Sequence, residues 1–180
     1  MKYILSIVGL GLLLTVIHQT GQNFTTLDPQ PFETSLVTHT KASESSYSGN
    51  TSGQELVEYA KLFYGVPYRY GSSDPKVGFD CSGFISHVYT HFGIKVPRSS
   101  VNFTDVGTPV EVDDAAPGDL VLFTGTDPES GTVGHIGIVV KNDDEGLEFI
   151  HSSSGKQYSV TVTPLEGYYE TRFVKVIRVI

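Results

Sequence analysis

The segment Asp80-Cys81-Ser82-Gly83-Phe84 contains the only cysteine of this 180-residue chain and stands at the start of an apolar periodic stretch. Apolar side chains recur after it at three- and four-residue steps, at Phe84, Ile85, Val88, Tyr89 and Phe92. Gly93 follows directly, and a glycine at that place commonly ends a helix. The spacing therefore predicts an amphipathic helix that begins at Cys81.

The position of Cys81 leaves two interpretations open. A cysteine on the apolar face of a helix is most often a small buried hydrophobe. At a helix start, however, free N–H groups and the helix dipole favour the thiolate, and a backbone N–H could bind an oxyanion. The polar and small neighbours Asp80, Ser82 and Gly83 favour a cleft over a core. Cys81 is therefore a candidate nucleophile.

Two later segments, Gly134-His135-Ile136-Gly137 and Phe149-Ile150-His151-Ser152, place histidines on predicted strands. Alternation along the first strand turns His135 away from the face of Ile136, and its flanking glycines should leave room for a substrate. A cysteine hydrolase needs a base and a group that orients the base, and His135 and His151 could fill these roles. Purely structural histidines are the alternative.

Zinc binding is a competing chemistry for the same three side chains. Cys81, His135 and His151 could form a three-ligand site, but no CxxC or HExxH spacing supports it. His87 and His91 are four residues apart, but Val88 stands where zinc motifs carry glutamate. These two histidines lie opposite the apolar stripe, which predicts a solvated helix face. The sequence therefore predicts no metal and no cofactor.

The rest of the chain predicts one further helix and a sheet. Ser52 and Glu55 match a capping box, so a helix should begin there and end near Gly65 and Pro67. A short extended piece follows at 67–71. Later strands are predicted at 119–123, 135–141, 147–151, 159–162 and 172–180, with a hairpin turn at 143–146. Helices followed by an antiparallel sheet indicate an α+β domain with segregated layers.

The N-terminal region predicts export. After Lys2, an apolar run from Ile4 to Ile17 is shorter than a membrane span and typical of a signal-peptide core. The poor cleavage site at 17–21 leaves an uncleaved anchor open for residues 1–21, and that anchor would be the only membrane link. A buried helix is the third interpretation. Residues 22–52, rich in Ser and Thr, predict a flexible tether before a folded domain at 53–180. We expect a periplasmic or extracellular protein.

The net charge and the single cysteine limit the binding partners and the covalent cross-links that this chain can have. The net charge is −8 and no basic cluster occurs, which argues against nucleic acid as a partner. A single cysteine cannot form an internal disulfide, so the fold must depend on its core. We expect a monomer.

Together, the motifs resemble the NlpC-type (NlpC and P60) family of cell-wall cysteine peptidases, which has a papain-like fold. The matching segments occur in order at 65–71, 80–84, 97–100, 117–121, 134–138 and 149–153. Each is weak alone, and their order makes the resemblance specific. It implies Cys81 as nucleophile, His135 as base and His151 as the orienting residue. It also implies that Tyr68 borders the site and assists the oxyanion, and that Asp80 and Ser82 contact substrate.

The resemblance further implies a substrate. Family members typically cleave the bond between γ-D-glutamate and a diamino acid in peptidoglycan stem peptides, which fits an exported protein. The loop at 124–134 is longer than is typical of the family, and we expect it to shape one wall of the cleft. Two alternatives stay open: an amidase or acyltransferase with the same Cys–His machinery, and a wall-binding protein that has lost catalysis.

Overall fold

The computed structural model describes residues 51–180, where two α-helices precede most of an antiparallel sheet. The predicted signal or anchor segment at 1–21, and residues 22–50 of the predicted tether, lie outside the described residues. The helices are α1 (Gly53–Lys61) and α2 (Cys81–His91). The strands are β1 (Ser73–Asp74), β2 (Gly78–Phe79), β3 (Thr108–Val110), β4 (Leu120–Thr124), β5 (Val133–Asp143), β6 (Gly146–Ser152), β7 (Val160–Pro164) and β8 (Phe173–Arg178).

Helix α1 begins as the capping box predicts and ends earlier than predicted. The Ser52 hydroxyl accepts a hydrogen bond from the Glu55 backbone N–H, and the Glu55 carboxylate accepts one from the Ser52 N–H. The helix stops at Lys61 because the next N–H groups bond three residues back instead of four, and Gly65 then turns at φ +81. Phe63, predicted on the helix, lies in these turns and still packs against the core.

Helix α2 has the predicted start and stop. The Asp80 carboxylate caps it by accepting a 2.6 Å hydrogen bond from the Gly83 N–H, and Gly93 leaves it at φ +74. Its apolar face is fully buried against the sheet. The hydroxyl of Tyr89 donates a 2.6 Å hydrogen bond to the Gly118 carbonyl, which ties α2 to the loop before β4.

The main sheet has six strands in the order β3-β8-β4-β5-β6-β7, and every neighbouring pair is antiparallel. One buried cluster joins the sheet to α1 and α2, and a second covers the other side around Phe123, Val139 and Phe149. The structure confirms the α+β class and the five predicted strands, each with its ends shifted by a few residues. The prediction missed β1, β2 and β3, which are too short to show a period. Neither helix of residues 51–180 is long and apolar enough to cross a membrane.

Candidate active site

Four of the six predicted site residues line one cleft of about 540 Å³ at the start of α2. The lining consists of Tyr68, Tyr70, Gly71, Asp80, Cys81, Ser82, Arg98, Ser99, Ser100 and Gly134. The Cys81 thiol donates a long hydrogen bond, 3.9 Å, to the carbonyl oxygen of Gly134. Because Gly134 precedes His135 in β5, the thiol lies beside the strand that carries the predicted base.

His135 and His151, the remaining two predicted residues, form a buried pair on adjacent strands. His135 Nε2 and His151 Nδ1 are 2.8 Å apart, and His151 Nε2 lies 3.1 Å from the hydroxyl of Thr163 on β7. The exposed fractions of His135 and His151 are 8% and 0%. The structure thus extends the predicted pair into a chain of three side chains, in which Thr163 is new.

The hydrogen-bond chain limits which protons the two rings can carry. Burial lowers the pKa of His135 well below its ordinary value, with His151 and Arg172 adding to the effect. Burial, followed by Arg172, lowers the pKa of His151 to about 3. With both rings neutral, a base at His135 Nδ1 requires that Nε2–H donate to His151 Nδ1. His151 Nε2–H then donates to Thr163.

The electrostatics of Cys81 differ from the sequence expectation. The backbone N–H groups of Ser82 and Cys81, and the charge of Arg98, lower the pKa of the thiol as the helix start predicts. Burial is the larger effect, and with the charge of Asp80 it raises that pKa above its ordinary value. The lowered thiol pKa that the helix start predicts is therefore not found, because burial outweighs the effect of the helix N-terminus and favours the neutral thiol.

Asp80 and Ser82 are held by Arg98. The guanidinium of Arg98 donates to both carboxylate oxygens of Asp80, at 2.9 and 2.7 Å, and to the Ser82 hydroxyl at 3.2 Å. Asp80 is only 7% exposed and also caps α2. Its carboxylate is thus fully engaged, while the half-exposed Arg98 faces the cleft. The sequence places Arg98 in one of the family motifs, but its ion pair with Asp80 depends on the fold and was not predicted.

Tyr68 borders the cleft as predicted. Its backbone N–H donates to the Tyr158 carbonyl at 2.9 Å, and the two rings lie 5.5 Å apart. Burial raises the pKa of Tyr68 to about 12, with the nearby charges of Cys81 and Asp80 adding to the effect. The hydroxyl therefore keeps its proton at neutral pH and remains a hydrogen-bond donor.

The sequence of this domain matches a known protein family. Residues 65–178 match the model of the NlpC/P60 family. The chain belongs to the NlpC/P60 family. The resemblance predicted from the ordered motifs is therefore confirmed.

Individual relatives agree with the family match. The chain is 33% identical over 126 residues to the bifunctional muramidase/DL-endopeptidase CwlT of Bacillus subtilis, covering 70% of this chain and 36% of that protein. It is 32% identical over 121 residues to a gamma-D-glutamyl-L-lysine dipeptidyl-peptidase of Bacillus cereus, covering 66% and 34%. The chain thus spans about a third of the length of these relatives.

A solved structure confirms the fold. An NlpC/P60 family protein from Bacillus cereus superposes with a TM-score of 0.65 at 29% identity, covering 73% of this chain and 41% of that one. The predicted papain-like α+β fold of this family is therefore confirmed.

The glycines around His135 serve packing in this NlpC/P60 chain. A Cβ at Gly134 would lie 2.6 Å from the Cα of Gly125, and one at Gly137 would lie 2.5 Å from the Phe149 ring. The expectation that both glycines make room for substrate is therefore wrong for Gly137, which is buried. Of the segment 124–134 that was predicted to shape the cleft, Gly134 lines it, and Gly134 belongs to β5.

A buried arginine lies behind the histidine pair. Arg172 is 6% exposed, and its Nη2 donates a 2.7 Å hydrogen bond to the Thr124 carbonyl. Its guanidinium lies over the rings of Tyr168 and Tyr169, at 4.7 and 5.7 Å. The ring of Tyr169 in turn packs against both His135 and His151. The ion pairs of residues 51–180 do not include Arg172.

The α2 face that carries His87 and His91 is solvated at His91, as predicted, but also contacts α1. The ring of His91 stacks on Tyr59 of α1 at 3.8 Å, and His87 Nε2 lies 3.5 Å from the Tyr59 hydroxyl. His87 is half-buried, so this part of the helix face is a contact with α1. Across residues 51–180, no group of three or more His, Cys, Asp or Glu side chains could hold a metal ion.

Proposed function

We propose that the chain is a cysteine peptidase that cleaves an amide bond in peptidoglycan stem peptides. One observation carries the proposal: the Cys81 thiol, at the N-terminus of α2, lies beside the strand from which the His135–His151–Thr163 chain begins. This is the arrangement of nucleophile, base and orienting group that covalent acyl transfer requires. Family membership and the names of the relatives support the same activity.

In the acylation step, Cys81 Sγ attacks the substrate carbonyl carbon while His135 Nδ1 takes the thiol proton. The developing oxyanion accepts hydrogen bonds from a backbone N–H at the start of α2 and from the Tyr68 hydroxyl. The tetrahedral intermediate collapses as the C–N bond breaks and the His135 imidazolium gives its proton to the leaving amine. A thioester on Cys81 remains.

In the deacylation step, His135 takes a proton from water as the water oxygen attacks the thioester carbonyl. The C–S bond breaks, the thiol recovers its proton from the imidazolium, and a carboxylic acid leaves. His151 keeps His135 in the required tautomer throughout, because its Nδ1 accepts the Nε2–H bond. Because burial raises the pKa of Cys81 and lowers that of His135, we propose that His135 takes the thiol proton during the attack and that no thiolate forms beforehand.

The bond we propose for cleavage joins γ-D-glutamate to the diamino acid of the stem. Its support is the relatives named a gamma-D-glutamyl-L-lysine dipeptidyl-peptidase and a DL-endopeptidase. We propose that Asp80 and Ser82 hold Arg98 at the cleft, where its guanidinium meets a substrate carboxylate. Direct contact of Ser82 with substrate belongs to the same proposal.

The proposed cellular location follows from the substrate. We propose that the chain is exported to the periplasm or the cell exterior by the segment at 1–21 and works there as a monomer. The apolar run of that segment and the cell-wall substrates of the named relatives support export.

Product analysis of defined muropeptides tests the proposed function. The full chain should convert a tetrapeptide muropeptide into two products whose masses locate the cut after γ-D-glutamate, and Cys81→Ala should leave it intact. A peptide released with its lactyl link cut would identify an amidase instead. Cleavage by Cys81→Ala at the wild-type rate would refute the thiol mechanism.

A further inference from the structure

Three tyrosines occupy one continuous part of the cleft and its rim. Tyr68 and Tyr70 line the cleft beside Cys81, and the Tyr158 ring lies 5.5 Å from that of Tyr68. Tyr70 is 88% exposed and Tyr158 is 58% exposed, so both present ring surface to solvent. We call this set (Tyr68, Tyr70 and Tyr158) the tyrosine wall.

The backbone holds Tyr158 in place at a conformational cost. Among residues 51–180, Tyr158 is the only residue other than glycine with a positive φ, +48. Its N–H donates to the Gly155 carbonyl at 3.0 Å, and its carbonyl accepts from the Tyr68 N–H at 2.9 Å. Bulky side chains rarely adopt this conformation, and strained residues are concentrated where a site needs them. The strain keeps an exposed ring beside the cleft without adding to the core.

Aromatic walls complement particular parts of a ligand. The face of a tyrosine ring is electronegative and apolar, so it favours a flat surface of weakly positive C–H groups, and its hydroxyl bonds neighbouring polar groups. The stem peptide consists of alanine, glutamate and a diamino acid, and none of these side chains offers a broad flat face of C–H groups. The part of peptidoglycan with a broad C–H face is the pyranose ring that carries the stem.

We propose that the tyrosine wall binds the amino-sugar of the glycan strand to which the scissile stem peptide is attached. The inference rests on the proposed function and extends it to the substrate class: the chain favours glycan-linked stems over free peptides. Sugar contacts of this kind need no attractive charge, which suits a chain of net charge −8 acting on an anionic polymer. The binding residues are Tyr70 and Tyr158, with Tyr68 shared between the wall and the catalytic centre.

The test compares two substrates that differ only in the sugar. Steady-state kinetics of the full chain are measured on a disaccharide-linked tetrapeptide and on the same free tetrapeptide. The variants are Tyr70→Ala and Tyr158→Asn, because asparagine tolerates the left-handed backbone and removes only the ring. Tyr64→Ala is the matched control, since Tyr64 is 65% exposed but does not line the cleft.

Each wall variant should raise KM for the linked substrate about tenfold, the effect of losing about 1.4 kcal/mol, and leave kcat close to wild type. For the free peptide, the KM and kcat of each wall variant should equal those of wild type. Tyr64→Ala should leave KM and kcat unchanged on both substrates. Equal losses on both substrates would show that the wall binds peptide, and no loss on either would show that it binds nothing. Both results would overturn the inference.

A titration without peptide keeps failure of this inference apart from failure of the proposed function. The disaccharide alone should shift tyrosine resonances in the NMR spectrum of wild type, and the shifts should weaken in Tyr70→Ala. If wild type cleaves neither substrate, the proposed function is refuted whatever the titration shows. If wild type cleaves both but the disaccharide causes no shifts, only the sugar-binding inference is refuted.

Discussion

His135, His151 and Thr163 form a chain of hydrogen-bonded side chains, and we propose that this chain orients His135 toward the Cys81 thiol. Burial favours the neutral forms of the thiol and of both imidazoles. What keeps His135 in the basic tautomer is the hydrogen-bond chain alone. The last member, Thr163, is therefore expected to influence catalysis without touching the substrate.

Removing the Thr163 hydroxyl should slow the reaction and leave substrate binding intact. Thr163→Val removes the 3.1 Å hydrogen-bond partner of His151 Nε2, so the required tautomer loses about 0.5–1.5 kcal/mol and kcat falls roughly 2- to 13-fold. KM should not change. Thr161→Val is the control, because Thr161 also lies in β7 but its hydroxyl donates to the backbone carbonyl of Val162 at 3.4 Å. Equal kcat values for the two variants would contradict this role.

At the scale of elements, the start of α1 packs backbone to backbone against the loop that leads into β4. A Cβ at Gly53 would overlap the Pro117 carbonyl oxygen and lie 2.8 Å from its carbon. The same loop is tied to α2 through Tyr89 and to β8 through Asp119, which receives two hydrogen bonds from Arg178. This junction therefore holds the helices on the sheet.

Gly53→Ala tests the junction because helix propensity and packing predict opposite signs. Alanine in a helix is favoured over glycine by about 1 kcal/mol, whereas the overlap with Pro117 forces a backbone shift. We expect the cost of the backbone shift to exceed the gain in helix propensity, so the free energy of unfolding in urea should fall by about 1–3 kcal/mol. Gly125→Ala, where a Cβ meets open space, should change the free energy of unfolding little. A stabilised Gly53→Ala chain would contradict the close contact.

Arg172 joins the segment before β8 to the end of β4 and lies behind the histidine pair. Its positive charge lowers the pKa of both His135 and His151. Arg172→Met should therefore raise the pKa of both histidines and move the acid limb of kcat/KM toward higher pH. Arg172→Lys keeps the positive charge, so its acid limb should stay near that of wild type. Potentiometric assays of kcat/KM from pH 3 to 8 measure the position of the acid limb. A folded Arg172→Met chain with an unmoved limb would contradict this effect.

The sequence predicted the features that local patterns determine. Helix α2 follows from its periodicity, the five longer strands from alternation, and Cys81, His135 and His151 from short motifs. Thr163 could not be found in this way, because its contact with His151 depends on the pairing of β6 with β7. Arg172 was missed because arginine is rarely buried without a partner. The pKa of Cys81 was misjudged because sequence shows a helix start but not the extent of burial.

For the whole molecule, stability is linked to the neutral state of the buried histidines. The folded-state pKa of each is below its unfolded value of roughly 6.5, so the unfolded chain binds more protons as pH falls. Their contribution is fully present above about pH 6.5 and is lost on acidification, down to about pH 3 for His151.

Unfolding measured from pH 7 to 4 should show this loss. Each histidine adds a slope of at most about 1.4 kcal/mol per pH unit below pH 6.5. His151→Asn should lower the free energy of unfolding at pH 7 and flatten its slope with pH relative to wild type. Parallel curves for wild type and His151→Asn would show that His151 is not held neutral.

Trapping the acyl-enzyme tests the central claim most directly, because one mass identifies both the nucleophile and the bond. A defined muropeptide is mixed with the full chain, quenched in acid within milliseconds and digested for mass spectrometry. We expect the peptide containing Cys81 to carry, as a thioester, the substrate fragment that ends in γ-D-glutamate, and the Cys81→Ala chain to carry none. A fragment attached to another residue, or one that ends elsewhere in the stem, would contradict the central claim.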